Sequence, residues 1–180
     1  MLSIRPAAPA DSDSIARLHF LSHTTSFGPM VSPEWLATRD LAAYERDWRR
    51  RLGAPDPLSG AWIAIEGREV VGIVSACALA DDRAAGAGSA AMPTASIRSM
   101  HVRPDRLGSG IGRRLWCAAC SFLGERGFVR ARFDVIEANA RARRVYDAAG
   151  ARLAGRAPAG VEGVPIMTYE IDVEPPGERA

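Results

Sequence analysis

The sequence contains no lysine, and all 23 of its lysine-or-arginine residues are therefore arginine. This absence excludes a P-loop, which needs a lysine followed by serine or threonine after its last glycine. The 21 acidic residues leave a net charge of +2, so no strong field of one sign points to a nucleic acid or a membrane surface. Because alanine is abundant as well, we attribute the arginine bias to a GC-rich bacterial genome.

Cysteine and long apolar runs are also scarce. No apolar run reaches the roughly 18 residues needed to span a bilayer, and Met1 leads within a few residues into a predicted strand, which predicts no signal peptide. The chain has three cysteines. Cys117 and Cys120 lack a second pair, so we predict no zinc site. We expect a cytoplasmic protein with reduced thiols, one domain over residues 1–173 and a polar tail at 174–180.

Hydrophobic periodicity predicts the order β, α, α, β, β, β, α, β, α, β, β, which is a mixed α/β sheet with helices on both faces. Residues 80–92 form a low-complexity segment that we expect to be a mobile loop. The predicted strands cover 2–5, 61–66, 69–79, 97–102, 129–136, 151–156 and 165–173, and the predicted helices 11–23, 40–52, 111–126 and 139–149. Ser32-Pro33-Glu34 indicates a further helix start, with proline in the first turn.

A strand, a glycine-rich turn and a helix start follow one another near the middle of the chain. Residues 97–102 are β-branched and apolar, and Pro104 stops the strand. Gly108, Gly110 and Gly112 then stand at alternate positions, where the backbone can approach a ligand closely. Since a helix start carries unpaired N–H groups and partial positive charge, this turn predicts a seat for phosphate. The spacing is not the G-x-G-x-x-G of dinucleotide folds.

Two motifs carry a family resemblance. Val102-x-Pro104-x-x-x-Gly108-x-Gly110-Ile111-Gly112-x-x-Leu115 resembles the signature turn of the GNAT superfamily of acyl-CoA-dependent N-acyltransferases. About 30 residues later, Asn139-x-x-Ala142-x-x-x-Tyr146-x-x-x-Gly150 is similar to its second motif. The resemblance implies a central, mostly antiparallel sheet of six to seven strands. It also implies that two strands splay apart around a cleft for acetyl-CoA, the cosubstrate.

The resemblance assigns the cofactor contacts. Backbone N–H groups of the turn would hold the CoA diphosphate, and main-chain groups of strand residues would pair with the pantetheine arm as an added strand would. Arg113, Arg114 and Arg143 are candidates for the outer phosphates. The family usually has glutamine or arginine where this chain has Leu107, but the backbone N–H remains. The cofactor-binding residues are thus Met100, His101, Val102, Leu107, Gly108, Ser109, Gly110, Ile111, Gly112, Arg113, Asn139 and Tyr146.

The second motif implies a catalytic acid. Asn139 and Tyr146 are seven residues apart, two helical turns, so both can lie on one helix face. In the family the asparagine contacts the pantetheine arm and the tyrosine points at the thioester sulfur. A phenol with a pKa near 10 can protonate a departing thiolate. A half-buried core tyrosine is the alternative interpretation.

The general base is left open. Many family members carry a glutamate on the central strand where this chain has Ser96, and a serine cannot act as the base. His101, Asp134 and Glu137 are possible substitutes, directly or through water, and a water chain to backbone groups is an equal alternative. We expect a strand N–H near Met100 to polarise the thioester carbonyl.

Two further groups of residues remain ambiguous. His19 and His23 are four apart on a predicted helix, but no third ligand or H-E-x-x-H pattern accompanies them, so we predict a solvated or cleft-lining pair and no metal. An aromatic set lies where family members build the acceptor pocket, although core packing explains it equally well: Phe27, Trp35, Tyr44 and Trp48.

The sequence therefore predicts an enzyme that transfers acetyl from acetyl-CoA to a primary amine of a small molecule or peptide, by direct attack in a ternary complex. A non-catalytic module that binds or senses acyl-CoA is the alternative, motivated by Ser96. We expect no nucleic-acid or membrane partner. A homodimer is possible.

Overall fold

The computed structural model describes residues 1–54, 56–79, 93–160 and 163–173. The predicted loop at 80–92 and the predicted tail at 174–180 lie outside the described residues. The elements follow the predicted order, and a short helix begins at the predicted helix start Ser32-Pro33-Glu34. They are β1 Leu2–Pro6, α1 Ser12–Leu21, α2 Pro33–Ala37, α3 Leu41–Gly53, β2 Ser59–Glu66, β3 Glu69–Ala78, β4 Thr94–Val102, α4 Ile111–Glu125, β5 Arg130–Ile136, α5 Ala140–Ala148, β6 Arg152–Ala157 and β7 Ile166–Asp172.

The described strands form one seven-stranded sheet in the order β1-β2-β3-β4-β5-β7-β6. The pairs β1–β2, β2–β3, β3–β4, β5–β7 and β6–β7 are antiparallel, and β4–β5 is parallel. The predicted mostly antiparallel sheet is confirmed. The predicted hairpin at Gly67 is confirmed too, with φ of 64° at that glycine.

Helices cover both faces of the sheet, and each face has its own core. The side chains of α4, including the fully buried Leu115 and Leu123, pack on one face. Ile15 of α1 and Trp48 of α3 pack on the other face, against Ile63 of β2. Because a Cβ on Gly72 would lie 2.8 Å from Leu115 Cδ1, glycine is needed where α4 approaches β3.

Strands β4 and β5 separate along their length. They pair only through Thr94↔Arg130, Ala95↔Ala131 and Ser96↔Arg132, although β4 continues for six more residues. The β3–β4 register shifts at the same level, because Ser75 pairs with Ser99 while Ala76 pairs with Ile97. This bulge increases the local twist of β4, and it marks the point where the two strands diverge. The cleft implied by the resemblance is present.

Two helix ends differ from the predicted bounds. Helix α1 ends at Leu21, and a π-helical turn at Ser22–Ser26 follows in place of a continuous helix through His23. Helix α5 begins at Ala140, because the Asn139 side chain caps it by accepting a hydrogen bond from the Ala142 N–H at 3.1 Å. No helix within the described ranges is long and apolar enough to cross a membrane.

Candidate active site

A cavity of about 1000 Å³ occupies the cleft between the separated strands. One end is formed by the turn between β4 and α4, where Gly108, Gly110 and Gly112 line the wall. At the other end the wall consists of side chains from α1, the π-helical turn and β4. Every residue that the sequence predicts to bind the cofactor lines this cavity except Ser109, which lies within the same turn.

The backbone N–H groups of Ile111, Gly112 and Arg113 have no backbone acceptor among the described residues, whereas those of Leu107 and Ser109 bond within the turn. The first backbone hydrogen bond of α4 runs from the Arg114 N–H to the Gly110 carbonyl, so the N–H groups of the preceding helical residues have no acceptor within the helix. Gly108 and Gly110 have φ of 88° and 81°, in the left-handed region that favours glycine. The turn is therefore shaped to hold an anion at the positive end of α4.

The arginines predicted to reach phosphate divide into two groups. Arg113 lines the cavity. Arg114 reaches the Leu2 carbonyl at 3.5 Å, and Arg143 donates to the Glu137 carbonyl at 2.9 Å, so both point elsewhere. Arg141, which the sequence reasoning missed, lines the cavity and has its Nη2 3.5 Å from where a Gly108 Cβ would lie. The sequence offered one signal for Arg141, because it lies two residues after Asn139 and therefore in the first turn of α5.

Tyr146 stands beside the cavity within an aromatic cluster. Its ring lies 4.5 Å from Phe133 and 5.5 Å from Trp116, centroid to centroid. Burial raises the pKa of Tyr146 to about 12, so the phenol keeps its proton at any ordinary pH. Asn139 also lines the cavity, but its side-chain oxygen is engaged as the helix cap, which leaves its NH₂ group for a ligand.

The structure separates the candidate bases. Ser96 does not line the cavity, and neither does Glu137, which forms an ion pair with Arg156. Asp134 lines it but accepts a hydrogen bond from Thr168 Oγ1 at 2.7 Å. His101 also lines the cavity, and its ring lies on the face of the sheet that α1 covers, beside Ser22, so its main chain and not its ring would meet the pantetheine arm.

Three histidines meet at the far end of the cavity. The prediction that His19 and His23 line the cleft is confirmed, whereas the expectation that they have no third partner is wrong. One ring nitrogen each from His19, His23 and His101 lies within 4.8 Å of the others. His19 Nε2 and His23 Nε2 are 3.2 Å apart. The sequence reasoning missed the cluster because 78 residues separate His23 from His101, and only the packing of α1 on β4 brings them together.

Each histidine of this cluster has a second polar partner. Trp48 Nε1 donates to His19 Nδ1 at 3.1 Å, within the buried core. His23 Nδ1 lies 2.7 Å from the Tyr44 hydroxyl. His101 Nδ1 lies 2.9 Å from Ser22 Oγ, and both of these side chains are buried.

Burial keeps the three imidazoles neutral. It lowers the pKa of His23 to about 4 and that of His101 to about 3, and it holds the pKa of His19 well below the usual range. Desolvation of the charged form is the largest cause in each case. Neighbouring charge adds to it, from Arg51 beside His19 and from Arg39 near His23.

Of the four aromatic residues predicted to form the acceptor pocket, only Phe27 lines the cavity. Met30 lines the cavity as well. Trp48 belongs to the core, and Trp35 carries the Arg39 guanidinium 4.1 Å above its ring. Tyr44 contacts the cavity wall indirectly, because its hydroxyl forms a hydrogen bond with His23 Nδ1.

Solved structures share this fold over nearly the whole chain. PaiA N-acetyltransferase from Thermoplasma acidophilum, solved with coenzyme A, has a TM-score of 0.75 at 13% identity, covering 96% of this chain and 99% of that one. YncA from Salmonella typhimurium, solved with acetyl-CoA, has 0.72 at 17%, covering 100% and 98%. The ribosomal-protein-S18-alanine N-acetyltransferase from Escherichia coli has 0.69 at 14%, covering 100% and 99%.

No curated protein matches the sequence. The family model described as "Acetyltransferase (GNAT) family" matches residues 23–151, which include the π-helical turn, the diverging strands, the glycine turn and the capped helix α5. That match spans most of the chain and all of the cavity's principal walls except α1, so the protein belongs to the GNAT acetyltransferase family.

Proposed function

We propose that the protein transfers the acetyl group of acetyl-CoA to a primary amine, by direct attack while both substrates occupy the cleft. The observation that carries this proposal is the single cavity that joins an anion-binding glycine turn to a neutral imidazole and aromatic pocket. Holding both reactants in one cleft replaces a bimolecular encounter with an oriented one, which is a large source of rate.

The glycine turn is proposed to hold the diphosphate of acetyl-CoA. Backbone N–H groups at Ile111, Gly112 and Arg113 supply donors that have no acceptor within the helix. Arg113 and Arg141 add positive charge on the two sides of the turn. The CoA and acetyl-CoA found in the PaiA and YncA structures support this cosubstrate.

The pantetheine arm is proposed to lie along the unpaired edge of β4. Beyond Ser96 that edge has no strand partner in β5, so main-chain groups at Met100 and Val102 can pair with the amides of the arm. A main-chain N–H near Met100 would polarise the thioester carbonyl. Because its pKa is about 12, Tyr146 would act by donating a hydrogen bond to the leaving sulfur while keeping its own proton at rest.

The charges around the cavity favour an amine without a second positive charge. The described lining residues include five arginines, Arg51, Arg98, Arg106, Arg113 and Arg141, and one carboxylate, Asp134. Arg98 and Arg51 lie apart from the glycine turn in sequence, and Arg51 forms an ion pair with Asp47 at 2.7 Å. Repulsion from Arg98 would disfavour a polyamine, whereas the carboxylate of an amino acid would be attracted.

The test is thiol release from acetyl-CoA across a panel that includes amino acids, peptides with free N-termini and polyamines. We expect turnover with at least one amine, and a preference for acceptors that carry a carboxylate. Binding of acetyl-CoA without turnover on any amine, together with no effect of Tyr146→Phe, would instead indicate a non-catalytic sensor.

A further inference from the structure

The indole of Trp48 fixes the tautomer of its neighbour. An indole N–H can only donate, and Trp48 Nε1 lies 3.1 Å from His19 Nδ1, so that nitrogen must carry a lone pair. Because burial keeps His19 neutral, its ring proton must sit on Nε2. His19 is therefore a donor on the side that faces the other histidines.

The His19 proton in turn fixes the tautomer of His23. His19 Nε2 lies 3.2 Å from His23 Nε2, so the His19 proton points at a lone pair on His23. A neutral His23 then carries its own proton on Nδ1 and donates it to the Tyr44 hydroxyl at 2.7 Å. One donor-only group thus sets the direction of a chain that runs from Trp48 through His19 and His23 to Tyr44.

The direction of these hydrogen bonds leaves one imidazole with a nitrogen that is free to accept a proton. Both nitrogens of His19 and both nitrogens of His23 are occupied within the chain. His101 has Ser22 Oγ at 2.9 Å from Nδ1, and its Nε2 has no hydrogen-bond partner among the described residues. A serine hydroxyl can accept the Nδ1 proton, which places a lone pair on Nε2 in a side chain that lines the cavity.

We propose that His101 Nε2 is the general base that accepts the proton lost by the acceptor amine, with Ser22 as the residue that positions its ring. This inference rests on the proposed acetyl transfer. The amine nitrogen forms a bond to the thioester carbon, the carbon–sulfur bond breaks, and the sulfur leaves with the bonding electrons. One proton passes from the nitrogen to His101 Nε2, and one proton, returned through solvent, converts the thiolate to a thiol.

The proton leaves the amine only after attack has begun. As the nitrogen–carbon bond forms, the attacking nitrogen becomes cationic and far more acidic than a free ammonium, and at that stage its proton can pass to an imidazole lone pair within hydrogen-bond reach. The groups that face His101 are His19 from α1, His23 and Ser22 from the π-helical turn, with Arg51 of α3 also lining the cavity. None of these carries negative charge, so His101 stays unprotonated before the substrate arrives.

A metal ion is the rival occupant of three converging histidines. A metal ion would bind His19 Nε2 through a lone pair on that nitrogen. The hydrogen bond from Trp48 to Nδ1 instead leaves the ring proton on Nε2. The ring would have to lose that hydrogen bond and leave a buried indole N–H unpaired, which is unfavourable. The arrangement therefore favours proton transfer over metal binding.

The tautomers can be read directly, since the chain contains three histidines. Long-range ¹H–¹⁵N NMR of the ¹⁵N-histidine-labelled protein should show the proton on Nε2 in His19 and on Nδ1 in His23 and His101, with no titration between pH 5 and 8. Each ring is assigned by its single His→Gln variant. A proton on His101 Nε2, a titration near pH 6.5, or shifts moved by stoichiometric Zn²⁺ would overturn the proposal.

Kinetics test the role of His101 in turnover. His101→Gln should lower kcat at least 100-fold with acetyl-CoA affinity within twofold of wild type, and added imidazole should partly rescue His101→Gly. Asp13→Asn on α1 is the comparison, because Asp13 does not line the cavity and pairs with Arg49, and it should keep kcat within about threefold. Ser22→Ala should lower kcat about tenfold, and Ser22→Thr, which keeps the hydroxyl, should restore much of it.

The outcomes distinguish a failure of the base assignment from a failure of the proposed acetyl transfer. If wild type acetylates an amine but His101→Gln retains its kcat, the base assignment fails while the proposed function stands. If wild type binds acetyl-CoA but acetylates no amine, the proposed function fails, and the NMR result still decides whether the directed chain exists.

Discussion

The Arg141 guanidinium covers Gly108 in the turn between β4 and α4. Its Nη2 lies 3.5 Å from the position that a Cβ on Gly108 would occupy, and the same glycine has φ of 88°. An arginine from α5 therefore stands over the backbone that begins α4. The two motifs of the sequence, 31 residues apart at Gly108 and Asn139, meet at this point.

Arg141→Ala should weaken CoA binding about three- to tenfold, because it removes one partly exposed charge beside the diphosphate site. Isothermal titration calorimetry with CoA measures the change, and the difference should shrink in 1 M salt, where the Debye length is about 3 Å. Arg144→Ala is the control, because Arg144 is exposed on the same helix and does not line the cavity. Equal losses in the two variants would contradict the assignment.

Tyr146→Phe should lower kcat about 10- to 100-fold and leave the KM for acetyl-CoA nearly unchanged. The variant removes one hydrogen bond to the leaving sulfur, worth about 1–3 kcal/mol, while the ring keeps its packing against Phe133 and Trp116. Because the pKa of Tyr146 is about 12, the wild-type rate should not fall through tyrosine ionisation below about pH 10. A loss confined to KM would show that the tyrosine only binds.

Gly72→Ala should destabilise the fold by about 1–3 kcal/mol, because the added Cβ would lie 2.8 Å from Leu115 Cδ1 and 2.9 Å from Ile111 Cγ2. Urea unfolding measures the change. Gly155→Ala on β6 is the matched control, since its nearest contact is an ordinary 3.8 Å. A stable Gly72→Ala variant would mean that α4 can move away from β3.

The histidine cluster should make the protein acid-sensitive. Below about pH 6.5 the unfolded chain protonates its histidines, whereas the native pKa values are about 4 for His23 and about 3 for His101. The contribution of the histidines to the free energy of unfolding should therefore be complete above pH 6.5. It should fall as the pH drops towards 4, by about 1.4 kcal/mol per pH unit for each histidine that is neutral in the native state.

Urea unfolding at several pH values checks this slope, and His101→Gln should reduce it by the share of one histidine. Carboxylates that form ion pairs lose their contribution only at lower pH, since their pKa values are lowered by their arginine partners, as for Asp11 beside Arg5. A free energy that is flat from pH 6.5 to 5 would show that the histidines are accessible to protons in the native state.

Local signals were enough to predict the order of the elements and the glycine turn, whereas the sheet and its cleft were implied by the family resemblance. Strand alternation, Pro104 and the glycine spacing lie within one short stretch, so the strand, the turn and the start of α4 could be predicted without knowledge of distant contacts. The Ser32 and Asp40 side chains cap α2 and α3 at the places where their sequences indicate helix starts. The element order followed from such signals.

The acceptor end could not be predicted in the same way. In the sequence, His101 is one position of a predicted strand, and His19 and His23 share one face of a predicted helix. Nothing local indicates that they meet, because their contact depends on how α1 packs over β4. The partners that orient them are also distant in the chain, because Trp48 is 29 residues from His19 and Ser22 is 79 residues from His101. Long-range packing of this kind leaves no periodicity in the sequence.

The central claim is that backbone N–H groups at the start of α4 hold the diphosphate of acetyl-CoA. It is tested most directly by calorimetric titration of CoA into wild type, Gly110→Asp and Gly127→Asp. Both glycines have positive φ, 81° and 78°, and open space around them, so both aspartates impose similar backbone strain. We predict that Gly110→Asp abolishes measurable CoA binding while Gly127→Asp binds as wild type does. Unchanged affinity in Gly110→Asp, or no affinity in wild type, would contradict the account.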